Sequence, residues 1–403
     1  MRFNPFQFAV ILLGTLALPL EAATLEGFAT LPANTLMPGP DSGHFIEAGE
    51  NIDLPFDGQP AQGFSAIIAD GNGGYLALVD NGFGRRENSP DFLLRIYFLN
   101  PEFRTRTGGS GRIFIDGFIN LSDPHRLMPY PLVAEQACYR SLDPCVEVDH
   151  LIIADRLLTG ADLDPESLQR VADGSFWIGD EFGPYLLHFD ASGALLEAPF
   201  ELKGLVSETR PGSEQSSHTL RRSRGFEGMA KSEPGKTLFP MLEGALNGDE
   251  NFLNIYSFDI DSRRFNNESA NQPDFRYQPE AGATAIGAFK LLDETSGLII
   301  ERDSGQGAKA KHKKIYRVDL SQVSAAGTLV KTELVDLLNI NDPHDLNLDG
   351  ETVFSLPMST IEGLIILEDN LLGIITDNNY PFGRARDNAE PEATEFILIR
   401  SGD

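Results

Sequence analysis

Glu166, Glu227 and Glu362 stand at matching places in a repeated sequence unit, and each unit closes about fifteen residues later on another acid. Ser65 and Gly287 hold the opening place in two further copies. The closing residues read Asp80, Asp180, Glu243, Glu301 and Asp377. Opening and closing positions are separated by 15, 14, 16, 14 and 15 residues. If these acids meet in space, they cannot all stay ionised without shared protons, cationic side chains or a hard divalent ion. Oxygen donors with Asn81, Asn378 and Asn379 beside them suit Ca²⁺, with Mg²⁺ as the alternative, better than zinc. Arg224, Arg302 and Arg384 lie within a few residues, and guanidinium forks match phosphate or carboxylate oxygens. The expected metal ligands are Glu166, Glu227, Glu362, Asp80, Asp180, Glu301 and Asp377. Glu166, Glu227, Glu362, Asp180 and Asp377 are the expected catalytic residues, holding metal or acting as base. Arg224, Arg302, Asn81 and Asn378 are the expected substrate contacts.

The elements that must position these residues are strands. Each copy runs from its opening residue through a short apolar run, a turn rich in Gly, Asp and Asn, and a second apolar run to its closing acid. Such runs read as strands of about 20 Å joined by tight hairpins. A hairpin brings the chain back to its starting level, so opening and closing residues share one edge of the sheet. After Asp180 a third run (Leu186 to Phe189) and a fourth stretch (Leu195 to Leu202) follow, and the next unit begins about 60 residues on. Four strands per unit at that period predict an all-β fold, a β-propeller. Runs at Leu93 to Leu99, Ile113 to Ile119 and Leu151 to Ala154 suggest one further blade between residues 95 and 155. The expected total is six, with seven as the alternative. In a propeller the matching positions face one mouth of the central channel.

Residues 1–23 read as a secretory signal: one Arg, an apolar core from Phe8 to Leu20 too short for a typical membrane span, and Ala22-Ala23. A membrane anchor is the alternative reading, and a lipoprotein anchor is disfavoured because no cysteine follows the core. Residues 24–403 then form one domain, periplasmic or secreted and expected to be monomeric. The two cysteines, Cys138 and Cys145, predict a local disulfide in an exported protein, with free thiols as the alternative. A net charge of −28 argues against a nucleic-acid partner, whose phosphates need a basic surface. There is no Gly-x-Ser-x-Gly elbow, and Gly235-Lys236-Thr237 lacks the earlier glycine of a phosphate loop. Asp345 to Gly350 matches the first half of a calcium loop, but Leu356 stands where a bidentate Glu should close it, so a turn-rich connection is expected.

Several stretches together resemble one family. They are Gln62-Gly63-Phe64-Ser65, Asp80-Asn81-Gly82-Phe83-Gly84, Arg156 to Asp162, Phe176-Trp177-Ile178-Gly179-Asp180-Glu181-Phe182-Gly183-Pro184, Arg224-Gly225-Phe226-Glu227-Gly228, Thr360-Ile361-Glu362-Gly363 and Asp377-Asn378-Asn379-Tyr380-Pro381-Phe382. The chain resembles the bacterial exported proteins called "esterase-like activity of phytase", a phytase-like domain, from about residue 45 onward. The resemblance implies a propeller and phosphoester hydrolysis. Gly383 follows Phe382 where family patterns often carry Ser, so no hydroxyl role transfers to that position. A small organic phosphate is the expected partner. A lactone or sugar acid, or ligand binding without turnover, are the rival readings.

Overall fold

The computed structural model describes residues 22–402 apart from 48, 50–51, 141–143, 213–217, 234, 369 and 387–388. Residues 1–21, most of the expected signal, lie outside the described residues. Four-stranded antiparallel units repeat around a ring. Blade 1 comprises Phe64–Ala69, Tyr75–Val79, Arg95–Glu102 and Arg112–Asn120; blade 2 comprises Pro165–Arg170, Phe176–Asp180, Tyr185–Phe189 and Phe200–Glu201. Blade 3 starts with Phe226–Lys231 and Thr237–Leu242. Its third strand is broken into Leu253–Ile255 and Phe258–Asp259, its fourth into Arg264–Phe265 and Phe275–Tyr277. Blade 4 comprises Ala285–Leu291, Ser296–Arg302, Lys313–Val323 and Leu329–Asp336. Blade 5 takes Thr360–Glu368, Leu371–Asp377 and Thr394–Arg400, and its fourth strand is the N-terminal Thr24–Leu31, antiparallel to Thr394–Arg400.

The first strands of these blades touch in a closed cycle: blade 1 to 2, 2 to 3, 3 to 4, 4 to 5 and 5 to 1. Five blades therefore complete the ring among the described residues, not six. The run expected to hold an extra blade supplies instead the two outer strands of blade 1, followed by a long connection. In that connection His150–Asp155, expected as part of a strand, forms a short helix capped by the Asp149 carboxylate, which accepts the Leu151 N–H at 2.8 Å. The Cys138–Cys145 disulfide ties the same connection.

Side-chain alternation explains how the ring holds together. Successive residues of a strand point to opposite faces, so Ala66 packs toward blade 2 while Ile67 packs toward blade 5. The buried apolar residues accordingly fall into five clusters, one at each junction between neighbouring blades. Leu78 with Ile178, Trp177 with Leu238, Ile255 with Ile299, Ile300 with Ile374, and Val79 with Ile375 represent them in order. Each buried aliphatic side chain contributes about 1.5–3 kcal/mol relative to exposure.

One irregularity is common to all five first strands. The register with the second strand shifts by one residue between Phe64 and Ala66, Pro165 and Ser167, Phe226 and Gly228, Ile286 and Ala288, and Ile361 and Gly363. The extra residue of each bulge is Ser65, Glu166, Glu227, Gly287 or Glu362. A bulged residue leaves the ladder and is re-aimed, which is how the opening residues reach the channel.

Candidate functional site

The bulges place Ser65, Glu166, Glu227, Gly287 and Glu362 around a constriction of about 10 Å³ at the channel centre, which is room for about one water or ion. One carboxylate oxygen from each of Glu166, Glu227 and Glu362 lies within 4.8 Å of the others, and all three residues are buried. Ser65 Oγ donates to Glu362 Oε2 at 3.1 Å. Gly287 is the small member because a Cβ there would sit 2.0 Å from the Ile361 carbonyl oxygen.

Strand register then fixes the closing positions. Counting from each bulge, the residues that level with Asp80 are Glu181, Glu243, Arg302 and Asp377. Asp180 and Glu301 sit one residue earlier, at the place taken by Val79, Leu242 and Thr376 in the other blades. A one-residue shift turns a strand's side chain to the other face, and both side chains are engaged there. Asp180 accepts the N–H groups of Asp164 (2.8 Å) and Gly183 (2.7 Å), fixing the turn after its strand. Glu301 is bound by Tyr277 Oη, Lys331 Nζ, His312 Nε2 (3.0 Å) and the Glu280 N–H (3.0 Å). With Glu181 and Arg302 in their places, the separations become 15, 15, 16, 15 and 15 residues. That evenness was the signal in the sequence that pointed to Glu181. Asp164, two residues before Glu166, was also missed; its carboxylate groups with Glu166 and Glu181 within 4.8 Å.

The mouth therefore carries seven carboxylates at ring positions, with one guanidinium among them. Arg302 Nη2 donates to Glu243 Oε1 and Glu362 Oε1, both at 2.9 Å, and Arg224 pairs with the other oxygen of Glu243. Burial pushes the carboxyls of Glu166, Glu181 and Glu227 well above the usual range. Glu227 repels Glu166, Glu243 repels Glu181, and Glu362 repels Glu227, in the same direction. Glu362 is pushed up to about 8 by burial, against the pull of Arg302. Asp80, partly exposed, is raised well above its ordinary value by burial and by Asp377; Asp377 is raised mainly by burial. Glu166 Oε2, Glu181 Oε1 and Glu227 Oε1 are buried with no hydrogen-bond donor among the described residues. Unpaired carboxyl oxygens at this density fit a hard divalent cation, whose charge would displace their protons, and none of the grouped donors is nitrogen or sulfur.

The remaining expected site residues lie around this centre in supporting roles. Asp377 is held by the Asn379 N–H (2.7 Å) and Thr360 Oγ1 (3.0 Å). The Asn81 N–H reaches Asp164 Oδ1 at 3.2 Å, and Asn378 Nδ2 donates to the Glu392 carbonyl at 3.0 Å; the Oδ1 of each is buried without a partner. Arg302 is enclosed by carboxylates and is not free to clamp substrate. Arg224, one-third exposed, lines a cavity of about 320 Å³ with Arg221, Asn247 and Thr284. Arg384 caps the carbonyls of Pro381 and Gly383. The Phe after the closing acid is structural in blades 1 and 2, where Phe83 packs edge-on against Phe92 at 5.3 Å and Phe182 is fully buried, whereas Phe382 in blade 5 is exposed. Leu356 belongs to the core between blades 4 and 5, and Asp345 Oδ1 closes a turn on the Gly350 N–H.

These features define a five-bladed propeller with an acidic centre where its first strands begin. The chain belongs to the phytase-like family described as "esterase-like activity of phytase", whose model matches residues 59–380. Over 210 residues it is 28% identical to an uncharacterized secreted protein of Arthroderma benhamiae, a match covering 43% of this chain and 41% of that one, so the matched stretch spans about two fifths of the relative. Among solved structures, a luciferin-regenerating enzyme is similar at 11% identity and a TM-score of 0.37, covering 84% of this chain and 79% of the other. The PQQ-bound aldose sugar dehydrogenase of Streptomyces coelicolor matches at 9% identity and a TM-score of 0.37, covering 94% and 100%. Scores this low carry no argument about activity. No helix among the described residues is long and apolar enough to cross a membrane.

Proposed function

We propose that this protein is an exported hydrolase of phosphate esters that works at the acidic mouth with Ca²⁺, or Mg²⁺ in its place. The observation that carries the reading is the trio Glu166, Glu227 and Glu362, converging on an ion-sized space with two of their oxygens unpaired. A divalent cation bound there would supply charge neutralisation for a phosphoryl group and Lewis acidity toward water. Glu166, Glu227 and Glu362 would hold it, and Arg302 would position Glu243 and Glu362 by its two hydrogen bonds. Glu181, whose buried carboxyl retains its proton more readily than an exposed one, is placed to exchange a proton with water beside the centre. Arg224 and Arg221, at the neighbouring cavity, would take phosphate oxygens.

The test is hydrolysis of p-nitrophenyl phosphate and of a panel of organic phosphates by the purified protein, with Ca²⁺, with Mg²⁺ and with chelator. Turnover that depends on the cation and collapses in Glu227→Gln supports the reading; equal turnover in chelator or in that variant defeats it. The second reading is a lactone hydrolase using the same centre. It is favoured by one observation: Arg302 is consumed by carboxylates, leaving fewer cations for a charged substrate. A lactone panel run beside the phosphates separates the two.

A further inference from the structure

The channel's opposite mouth has a different chemistry. Three and four residues beyond the bulges, the first strands end in a cavity of about 410 Å³. Blades 2, 3 and 4 contribute Arg170, Lys231 and Lys290 to its wall, while blades 5 and 1 contribute Ile365, Ile366 and Ile68. The cations are thus gathered on one side, over three consecutive blades, and the aliphatic side chains on the other. In a chain of net charge −28 this grouping is conspicuous. Glu233 also lines the wall, yet among the described residues it pairs with none of these cations: Arg170 Nη1 donates to the Asp70 carbonyl at 3.2 Å, and Lys231 Nζ to the Arg170 carbonyl at 2.8 Å. Lys290 is half-buried, and its ammonium has no hydrogen-bond or ion-pair partner among the described residues. Burial, then repulsion from Lys231, lowers it to about 8. An unpaired ammonium beside two other cations is a standing cost that an anion would remove.

We propose that this mouth is a binding site for a small amphipathic anion, whose acid group meets Lys290, Lys231 and Arg170 and whose hydrocarbon part lies on Ile68, Ile365 and Ile366. The cavity accommodates a ligand of drug-fragment size, within the usual 300–1,000 Å³ of small-molecule sites. The cavity adjoins the acidic constriction, which Lys290 and Leu364 also line, and the proposal does not depend on the activity proposed there.

Isothermal titration of the full-length protein with octanoate, octanol, acetate and octyltrimethylammonium tests this. Octanoate is expected to bind, with octanol and acetate each at least about tenfold weaker and the cation not at all. Lys290→Met should weaken octanoate about tenfold or more, the size of a lost charge-assisted hydrogen bond, while Lys290→Arg retains it. Ile366→Ser should weaken octanoate and leave acetate unchanged. Should Lys290→Met fail to fold, Lys231→Met carries the same expectation. Absence of octanoate binding at millimolar concentration, or equal binding of octanol, overturns the proposal. So does undiminished binding in a folded Lys290→Met or Lys231→Met variant.

Discussion

The two mouths of the channel are made by the same five strands and differ in almost everything else. At the acidic end Glu166, Glu227 and Glu362 line an ion-sized constriction of about 10 Å³, and the buried Arg302 guanidinium holds Glu362 and Glu243. At the other, three cations, one carboxylate (Glu233) and an aliphatic wall surround about 410 Å³, and one ammonium is unpaired among the described residues. The backbone repeats five times, bulge included, so the difference is not in the fold. It lies in which blades depart from the pattern. Blade 4 breaks the acid ring twice, with Gly287 at the bulge and Arg302 at the closing place, and that exception holds Glu243 and Glu362. The same blade supplies Lys290 to the far mouth. A propeller gains a site where its sequence breaks its own symmetry.

The largest expected effect breaks that arrangement at its cation. Arg302→Met leaves Glu243 and Glu362 buried without their shared partner and should cost about 3–5 kcal/mol in urea denaturation with chelator present. An unchanged midpoint would mean that the guanidinium is incidental. Next, Glu227→Gln should lower cation-dependent turnover about a hundredfold and remove the rise in melting temperature on adding Ca²⁺. The adjacent pair Asp180 and Glu181 sharpens the assignment of faces. Asp180→Asn should lose about 1–3 kcal/mol of stability through its two backbone donors and keep the Ca²⁺ response; Glu181→Gln should weaken the Ca²⁺ response with little change in the metal-free melt. The reverse pattern would put the register argument at fault.

The mouths should also answer pH in opposite directions. Glu362 is raised from 4.5 to about 8, so the folded state holds its proton the more tightly. Its contribution is complete below pH 4.5 and lost as pH rises toward 8. Lys290 is lowered from 10.5 to about 8, so the folded state releases its proton sooner, and stability recovers as pH climbs from 8 to 10.5. Melting in chelator should show the falling limb reduced in Glu362→Gln and the rising limb reduced in Lys290→Met. The smallest effect belongs to the rim: Arg224→Lys should raise KM for a phosphate ester about threefold to tenfold with kcat nearly unchanged, the loss of a bidentate contact.

Much of the acidic mouth was legible before any coordinates, and the reason is geometric. A hairpin returns its closing residue to the level of its opening one, so Glu166, Glu227 and Glu362 could be set beside Asp80 and Asp377 by counting alone. Counting fails by single residues, however, because strand faces alternate. Asp180-Glu181-Phe182-Gly183 is one residue shorter than Asp80-Asn81-Gly82-Phe83-Gly84, so aligning aspartate on aspartate selected Asp180 where the register selects Glu181; in blade 4, choosing the first acid after the apolar run selected Glu301 over Arg302. The blade count was overstated because Arg95–Glu102 and Arg112–Asn120 resemble the start of a new unit as much as the end of an old one. What separates them is pairing, Tyr75 with Leu99 and Leu99 with Ile115, which periodicity does not carry. Lys290 and its neighbours passed unnoticed because no motif marks them; only the strand ends bring them together.

The strand that completes blade 5 gives the ring a built-in order of assembly. Thr24–Leu31 pairs with Thr394–Arg400, which follows it only after all the other blades. The ring therefore cannot shut until every blade between these two strands has been made. Clipping the chain at Leu31 would leave Thr394–Arg400 as an exposed edge with unpaired N–H and C=O groups, ready to accept a strand from another copy. Removal of Thr24–Leu31 would thus convert a self-sealed ring into a unit open to strand exchange.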